Sequence, residues 1–221
     1  LCEGKIMAMN PQWCMPLTKW KEQYGKWIES AGDDQLIEVY IFLDFRCVYG
    51  STDLIKELHS HVMNCIDKTP GFLTLLAHDA SQYKPPLSLF GNIVTESGGE
   101  HSKTFNIKEA MRTIITFARI YALKYRLLDC NTFERLRLLH DKGHLEDSLY
   151  DEINIAYSFL MQMRLKHQAK LVKKGYPINN NINPKKITQI ERLMLKNIFS
   201  QINSFQSKLG SDFKYTNDDD D

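Results

Sequence analysis

Residues 39–50 read Val-Tyr-Ile-Phe-Leu-Asp-Phe-Arg-Cys-Val-Tyr-Gly, an apolar and aromatic run that carries one aspartate, Asp44, and one arginine, Arg46. β-Branched and aromatic residues closed by a glycine are typical of a strand, so we predict a strand here. Alternation places Asp44 and Arg46 on the same face of it. A carboxylate in an apolar strand loses its hydration unless it is paired or bound to a metal ion. Two interpretations stay open at this point, a structural pair with Arg46 and a functional aspartate.

The composition is that of a folded globular protein. The chain has 221 residues, of which 43% are hydrophobic, enough for one large or two small domains. Its 28 basic residues nearly balance its 27 acidic ones, so we expect no nucleic acid and no membrane surface as a partner. Five scattered cysteines form no CxxC pair, which favours reduced thiols and a cytoplasmic location. No apolar run approaches the roughly 18 residues that a membrane span needs.

The second half of the chain is predicted to be helical. It follows a Ser-, Gly- and His-containing segment at 97–102, the best candidate for a domain boundary. Apolar residues then recur at spacings of three and four. The predicted helices are 105–128, a shorter one capped by Asn131 or Thr132 and stopped near Gly143, 146–173, and about 184–209. Lysines gather at the end of the third, where cations suit the helix dipole. Short connections predict an antiparallel up-and-down bundle.

Several short sequence motifs in the first half resemble motifs of one enzyme family. They are Cys2-Glu3-Gly4, Met7-Ala8-Met9-Asn10-Pro11-Gln12-Trp13, Trp20, Trp27, Ile41-Phe42-Leu43-Asp44-Phe45-Arg46 and Tyr49-Gly50. Each word is short, but the series and its order resemble the later half of the signal-transduction nucleotidyltransferases that are often fused to cystathionine-β-synthase-type sensor domains. That family is similar to the PII uridylyltransferases and the glutamine synthetase adenylyltransferases.

A second series of words resembles the helical substrate-binding domain of the same family. It consists of Phe105-Asn106-Ile107-Lys108, Ala118-Arg119-Ile120-Tyr121-Ala122-Leu123, Thr132-Phe133-Glu134-Arg135-Leu136, Arg164-Leu165-Lys166-His167-Gln168 and Thr188-Gln189-Ile190-Glu191-Arg192. The resemblance therefore covers nearly the whole chain. It implies a mainly α protein with a small β part: a partial polymerase-β-like nucleotidyltransferase domain at 1–97, an antiparallel four-helix substrate-binding bundle at 98–213, and an acidic tail at 214–221 that we expect to be disordered.

The resemblance also implies a reaction. Enzymes of this kind transfer a nucleoside monophosphate from a nucleoside triphosphate to a protein or small-molecule acceptor, and a signalling protein is one candidate acceptor. Sensor domains of the same polypeptide are expected partners. Three carboxylates hold two Mg²⁺ ions that orient the triphosphate and stabilise the leaving pyrophosphate. The alternative, from a different class, is a non-catalytic regulatory or protein-interaction module.

Asp44 matches the third of the family's carboxylates, which makes it the predicted metal ligand or general base. The other two belong to a Gly-Ser turn followed by an Asp-x-Asp pair, and this sequence does not contain that motif. Since the first residue is Leu1 and not methionine, we expect the motif to lie upstream in a longer polypeptide. This chain alone is then expected to be inactive.

Four further residues are candidates for binding substrate or nucleotide. Arg46 suits a phosphate through its planar fork, and a pair with Asp44 is the equal alternative. Lys108 resembles a cleft-facing family position that contacts nucleotide phosphate, although a solvated lysine is the default. Arg164 and Gln168 lie one helical turn apart, so they share a face and could line a groove.

Overall fold

The computed structural model describes residues 10–30, 36–88, 92–96, 98 and 102–213, apart from the side chain of residue 37. The chain is mainly α with a small β part, as predicted. It divides into two compact units, Leu1–Leu75 and Leu76–Asp221. The domain boundary near residue 97 stays a prediction, and the acidic tail 214–221 lies outside the described residues.

The elements follow one another in a simple order. They are a 3-10 helix at Pro11–Trp13, α1 at Leu17–Glu29, α2 at Leu36–Phe42, α3 at Thr52–Lys68, α4 at Gly71–Ser81, β1 at Phe105–Asn106, α5 at Ile107–Lys124, α6 at Thr132–Asp141, α7 at Asp147–Lys173, β2 at Asn181–Ile182 and α8 at Gln189–Phe213. The last four helices confirm the four that the apolar spacing predicts.

An aromatic cluster forms the core of the first unit. Spacings of four and three put Trp20, Tyr24 and Trp27 on one face of α1, where the last two are buried. The Phe42 ring centroid lies 5.1 Å from that of Trp27, 5.5 Å from that of Trp20 and 4.5 Å from that of Trp13. Aromatic pairs at such distances each contribute about 0.5–1.5 kcal/mol beyond the area they bury. All three tryptophans of the chain belong to this cluster.

The predicted strand at 39–50 is wrong. Its first residues belong to α2, and the amide of Leu43 still donates to the carbonyl of Val39 at 2.9 Å, the i to i−4 bond of a helix. Residues 43–51 have no regular secondary structure. Leu36, Val39 and Leu43 are buried at spacings of three and four, so the same letters also carry a helical stripe.

Contacts with α1 favour the helical form of this segment. Trp27 Nε1 donates to Glu38 Oε2 at 3.1 Å, and the Tyr24 hydroxyl donates to the carbonyl of Phe42. Strand propensity is a weak preference that depends on side-chain packing, and here the packing against α1 outweighs it. Asp44 and Arg46 therefore do not lie on a common strand face.

α5 is the central helix of the second unit. Thirteen of its 18 residues are buried, and it packs against α6, α7 and α8. Between residues 113 and 123 every residue except Ile115 is buried, as expected of a helix segment inside a core. The amide of Gln206 on α8 donates to the carbonyls of Ala80 and Tyr83 at 2.9 and 2.8 Å, which joins the end of α4 to the same core.

The helix directions differ in part from the simple up-and-down order. Ring contacts between α6 and α7 join Phe133 to Tyr157 and His140 to Tyr150, so these two helices are antiparallel, as expected. In the ring pairs between β1 or α5 and α8, higher residue numbers on one side pair with higher residue numbers on the other. α5 and α8 therefore run in the same direction. The ring pairs are Phe105 with Phe199, Phe117 with Phe205, and Tyr121 with Phe213.

A two-stranded antiparallel sheet explains this arrangement. β1 leads directly into α5, and β2 lies in the connection between α7 and α8. Phe105 pairs with Ile182 and Asn106 with Asn181. The β2 segment is therefore held at the start of α5, and α8 begins from that same end of the bundle. Within the described residues the small β part lies in the second unit, whereas the sequence suggests it in the first.

None of the helices in the described part of the chain combines the length and the apolar character that crossing a lipid bilayer requires.

Candidate functional site

Asp44 and Arg46 lie in the irregular segment that follows α2. Asp44 is half-buried and Arg46 is exposed. In the described ranges, from residue 10 to residue 213 with their gaps, no group of three His, Cys, Asp or Glu side chains is placed to hold a metal ion. The described residues thus do not form a three-carboxylate Mg²⁺ site, and Asp44 as a metal ligand or general base stays a prediction from the family resemblance.

Lys108 lies in the first turn of α5 with its side chain exposed. Asn106 caps this helix, and its Oδ1 accepts a hydrogen bond from the Lys108 amide at 3.0 Å. The position offers an accessible ammonium group beside the small sheet. Its contact with a nucleotide phosphate stays a prediction.

Arg164 and Gln168 do share a face of α7, and both point at one side chain. Arg164 Nε and Gln168 Nε2 donate to Asn180 Oδ1 at 2.9 and 3.1 Å. The carbonyl of Asn180 accepts from the Ile107 amide at 3.0 Å. One turn is therefore tied to the start of α5 and to α7 together, so the two predicted groove residues orient the connection between α7 and β2.

A cleft of about 530 Å³ opens beside these residues, between the C-terminal half of α7 and the β2 connection. Its size falls in the range of small-molecule sites, about 300–1,000 Å³. Four lysines line it: Lys166, Lys170, Lys174 and Lys186. Further polar groups come from Asn181, Asn183, His167 and Tyr176, and apolar ones from Met163, Leu171, Ile182 and Ile187. The cleft is thus basic, with one carboxylate, Glu191, among its described lining residues.

Glu191 holds one lysine of the cleft. Lys166 Nζ lies 2.8 Å from Glu191 Oε1, and the amide and hydroxyl of Thr188 donate to Glu191 Oε2 at 2.8 and 3.0 Å. The Glu191 amide donates back to the Thr188 hydroxyl at 3.2 Å, which completes a capping box at the start of α8. The Lys166 hydrogen bond, followed by the Thr188 amide, lowers the pKa of Glu191 to about 2. At neutral pH this carboxylate is therefore ionised and already bound to Lys166 and Thr188.

The turn that carries Lys186 is also fixed. Asn183 Oδ1 accepts from the Lys185 amide at 2.9 Å, and the carbonyl of Asn183 accepts from the Lys186 amide at 3.0 Å. Arg192 Nε donates to the carbonyl of Pro184 at 3.2 Å. Local hydrogen bonds therefore preorganise the wall that faces α7.

A spacing in the sequence could have revealed the cleft. Lys166 and Lys170 of α7 and Lys174 at its C-cap follow one another at intervals of four residues, so they share one face. Interpreting the lysines at the end of this helix, Lys170, Lys173 and Lys174, as partners of the helix dipole leaves out Lys166 and misses the spacing. The contribution of Lys186 depends on the turn after β2 and has no such signal.

Two family models match the chain. One, described as a putative nucleotidyltransferase substrate binding domain, matches residues 70–213. The other, described as a putative nucleotidyltransferase, matches residues 1–34. No curated protein and no solved structure matches. The cleft lies wholly inside the first match, whereas Asp44 and Arg46 lie in neither.

Proposed function

The chain belongs to the putative nucleotidyltransferase substrate-binding domain family, and from that premise we propose that it binds the substrate of an enzyme that transfers a nucleoside monophosphate from a nucleoside triphosphate to an acceptor. The observation that carries this proposal is the basic cleft inside the family match at 70–213. Nucleoside triphosphates are polyanions, and the four lysines that line the cleft complement them. The acceptor is a protein or a small molecule, with a signalling protein as one candidate.

In the proposed reaction Mg²⁺ would orient the triphosphate and offset the charge on the leaving pyrophosphate. Asp44 is our candidate for one of its carboxylate ligands, on the strength of the family resemblance. Sensor domains of the same polypeptide, as in other members that the sequence resembles, are the proposed source of regulation.

Titration calorimetry with the full chain tests the proposal. ATP, GTP, CTP and UTP are each added with Mg²⁺, and we expect saturable binding of at least one of them. If Asp44 is a ligand, Asp44→Asn weakens Mg²⁺-dependent binding about tenfold or more, equal to about 1.4 kcal/mol. The matched control is Asp53→Asn, an exposed carboxylate of the same unit paired only with Lys56 among the described residues.

Two results would contradict the proposal in different ways. If the folded chain binds none of the four nucleotides, the proposed substrate-binding role is wrong. Nucleotide binding that Asp44→Asn leaves intact removes only the role of Asp44.

A second candidate function, a protein-interaction module, is favoured by the outer surface of α7 and α8. A groove of about 450 Å³ is lined by apolar Ile155, Phe159 and Met194 and by polar Asn154, Ser158 and Gln162, and Ile155 is 58% exposed. Exposed apolar grooves are typical of protein-binding surfaces. For such a module, the nucleotide titrations stay flat, and Ile155→Lys abolishes binding to the partner.

A further inference from the structure

The lysines of the cleft differ in whether a carboxylate is paired with them. Lys166 is paired with Glu191. In the part of the chain that the structure describes, no carboxylate lies within 4 Å of Lys170, Lys174 or Lys186. Three ammonium groups therefore face the same cavity without a protein counter-ion among those residues.

This concentration of charge is unfavourable by itself. Like charges four residues apart on a helix repel one another, and here Lys166, Lys170 and Lys174 form two such pairs in succession. A lysine near the end of this helix does not have to face the cleft. Lys173 lies beside Lys174 and does not line the cleft. An anion in the cleft would relieve the repulsion.

The end of α7 is arranged so that it does not repel such an anion strongly. A helix C-terminus carries partial negative charge on its last carbonyls. In α7 the amides of Lys174 and Tyr176 both donate to the carbonyl of Leu171 at 3.0 Å, and the Gly175 amide donates to the carbonyl of Val172 at 3.0 Å. Gly175 adopts a φ of +70°, the left-handed conformation that such a cap needs. The capped carbonyls leave the lysines as the dominant charge.

The shape of the cleft favours an extended anion. Lys170 and Lys174 lie four residues apart, about 6 Å along the helix axis, and both face the cleft. A single phosphate carries about −1.5 to −2 charge, less than the three positive charges of Lys170, Lys174 and Lys186, whereas a chain of two or three phosphates carries enough negative charge to balance them. Lys186, on its fixed turn, adds an ammonium group from the opposite wall. Asn183 and Tyr176 add neutral groups able to donate hydrogen bonds.

We infer that this cleft binds a linear phosphate chain of two or three phosphates, with Lys170, Lys174 and Lys186 as its contacts and Lys166 held by Glu191 at one end. The inference rests on the proposed function only for the identity of the molecule that carries the phosphates, which under that function is the nucleoside triphosphate. Free inorganic polyphosphate offers the same chemistry.

The test uses the full chain and inorganic triphosphate without Mg²⁺, measured by titration calorimetry. The double variant Lys170→Gln and Lys174→Gln should weaken binding about tenfold or more, which is about 1.4 kcal/mol. The control double variant Lys142→Gln and Lys173→Gln removes the same charge from exposed positions outside the cleft. It should weaken binding less than about threefold, because charges in water are screened over about 10 Å. Circular dichroism confirms that each variant is folded.

Competition identifies the carrier and separates this inference from the proposed function. Displacement of inorganic triphosphate by ATP, GTP, CTP or UTP, but not by adenosine, supports a nucleotide in the cleft. If inorganic triphosphate binds in the cleft and none of the four nucleotides displaces it, the cleft inference stands and the nucleotide-binding function falls.

The inference is overturned if the wild-type chain does not bind inorganic triphosphate at about 1 mM, a weak affinity for such a site. It is also overturned if the two double variants weaken binding equally, since net charge alone then accounts for it. Nucleotide binding that persists in the cleft variant would leave the proposed function in place while removing this site.

Discussion

Arg164 and Asn180 are joined by a hydrogen bond of 2.9 Å from Nε to Oδ1, and this bond links α7 to the turn before β2. Gln168 donates to the same oxygen at 3.1 Å. One amide oxygen therefore serves two side chains from successive turns of the helix. Because the carbonyl of Asn180 also accepts from α5, this residue positions one wall of the basic cleft.

We predict that Asn180→Ala lowers the free energy of unfolding by about 1–2 kcal/mol, since two half-buried donors lose their acceptor. Asn180→Asp keeps both bonds and gives Arg164 an ionised partner, so it should retain wild-type stability or exceed it. Urea unfolding of the two variants measures the difference. Asn197→Ala, an exposed change in α8, serves as the control and should lie within about 0.5 kcal/mol of the wild type. Equal stability of the two Asn180 variants would contradict the prediction.

The Lys166–Glu191 pair predicts a dependence of stability on pH. The folded-state pKa of Glu191 is about 2, below its ordinary 4.5, so the ionised form stabilises the folded chain. That contribution is complete above about pH 4.5 and is lost as the pH falls toward 2. Lys166 is 56% exposed and solvent screens the pair, so we expect Glu191→Gln to cost about 1 kcal/mol at pH 7, from the pair and the capping box together.

Urea unfolding at several pH values checks this expectation. The gap between Glu191→Gln and the wild type should close as the pH falls from about 4.5 to 2. Glu152→Gln, at an exposed position of α7, should cost less than about 0.5 kcal/mol. A gap that stays constant down to pH 2 would show that the carboxylate charge is not the cause.

The central position of α5 predicts unequal effects of two phenylalanines. Phe117 is fully buried between the rings of Tyr121 and Phe205, whereas Phe133 on α6 is 38% exposed. Phe117→Ala should lower the free energy of unfolding by about 3–5 kcal/mol, because it leaves a cavity. Phe133→Ala should cost about 1–2 kcal/mol. Thermal or urea unfolding followed by circular dichroism measures both, and similar losses would argue against α5 as the core.

The aromatic cluster of the first unit can be followed by its own fluorescence. All three tryptophans surround Phe42, so their emission reports on this unit. We predict that Phe42→Ala shifts the emission to the red and lowers the free energy of unfolding by about 2–4 kcal/mol. Tyr49→Ala, at a side chain that is 99% exposed, should change neither quantity. An unshifted emission in Phe42→Ala would contradict the packing of α2 on α1.

The sequence alone predicts much of the second unit. Apolar spacings of three and four over long segments locate α5 to α8, because each of these helices is long enough for its period to stand out. The words around Lys108 and Arg164 indicate the family, which the match at 70–213 confirms. The site is predicted less well. Arg164 and Gln168 are placed on a common face, but their shared acceptor, Asn180, lies in a connection whose path no periodicity reveals.

The sequence by itself determined the mainly helical class and the family, since both depend on local periodicity and on the order of short words. The tertiary structure decided the rest. It made 36–42 a helix, because packing on Trp27 and Tyr24 outweighs a weak strand preference. It also gathered Lys186 and the lysines of α7 around one cleft, because the antiparallel pairing of β1 and β2 holds the connection after α7 against the start of α5. Long-range pairing of this kind leaves no trace in the spacing of residues along the chain.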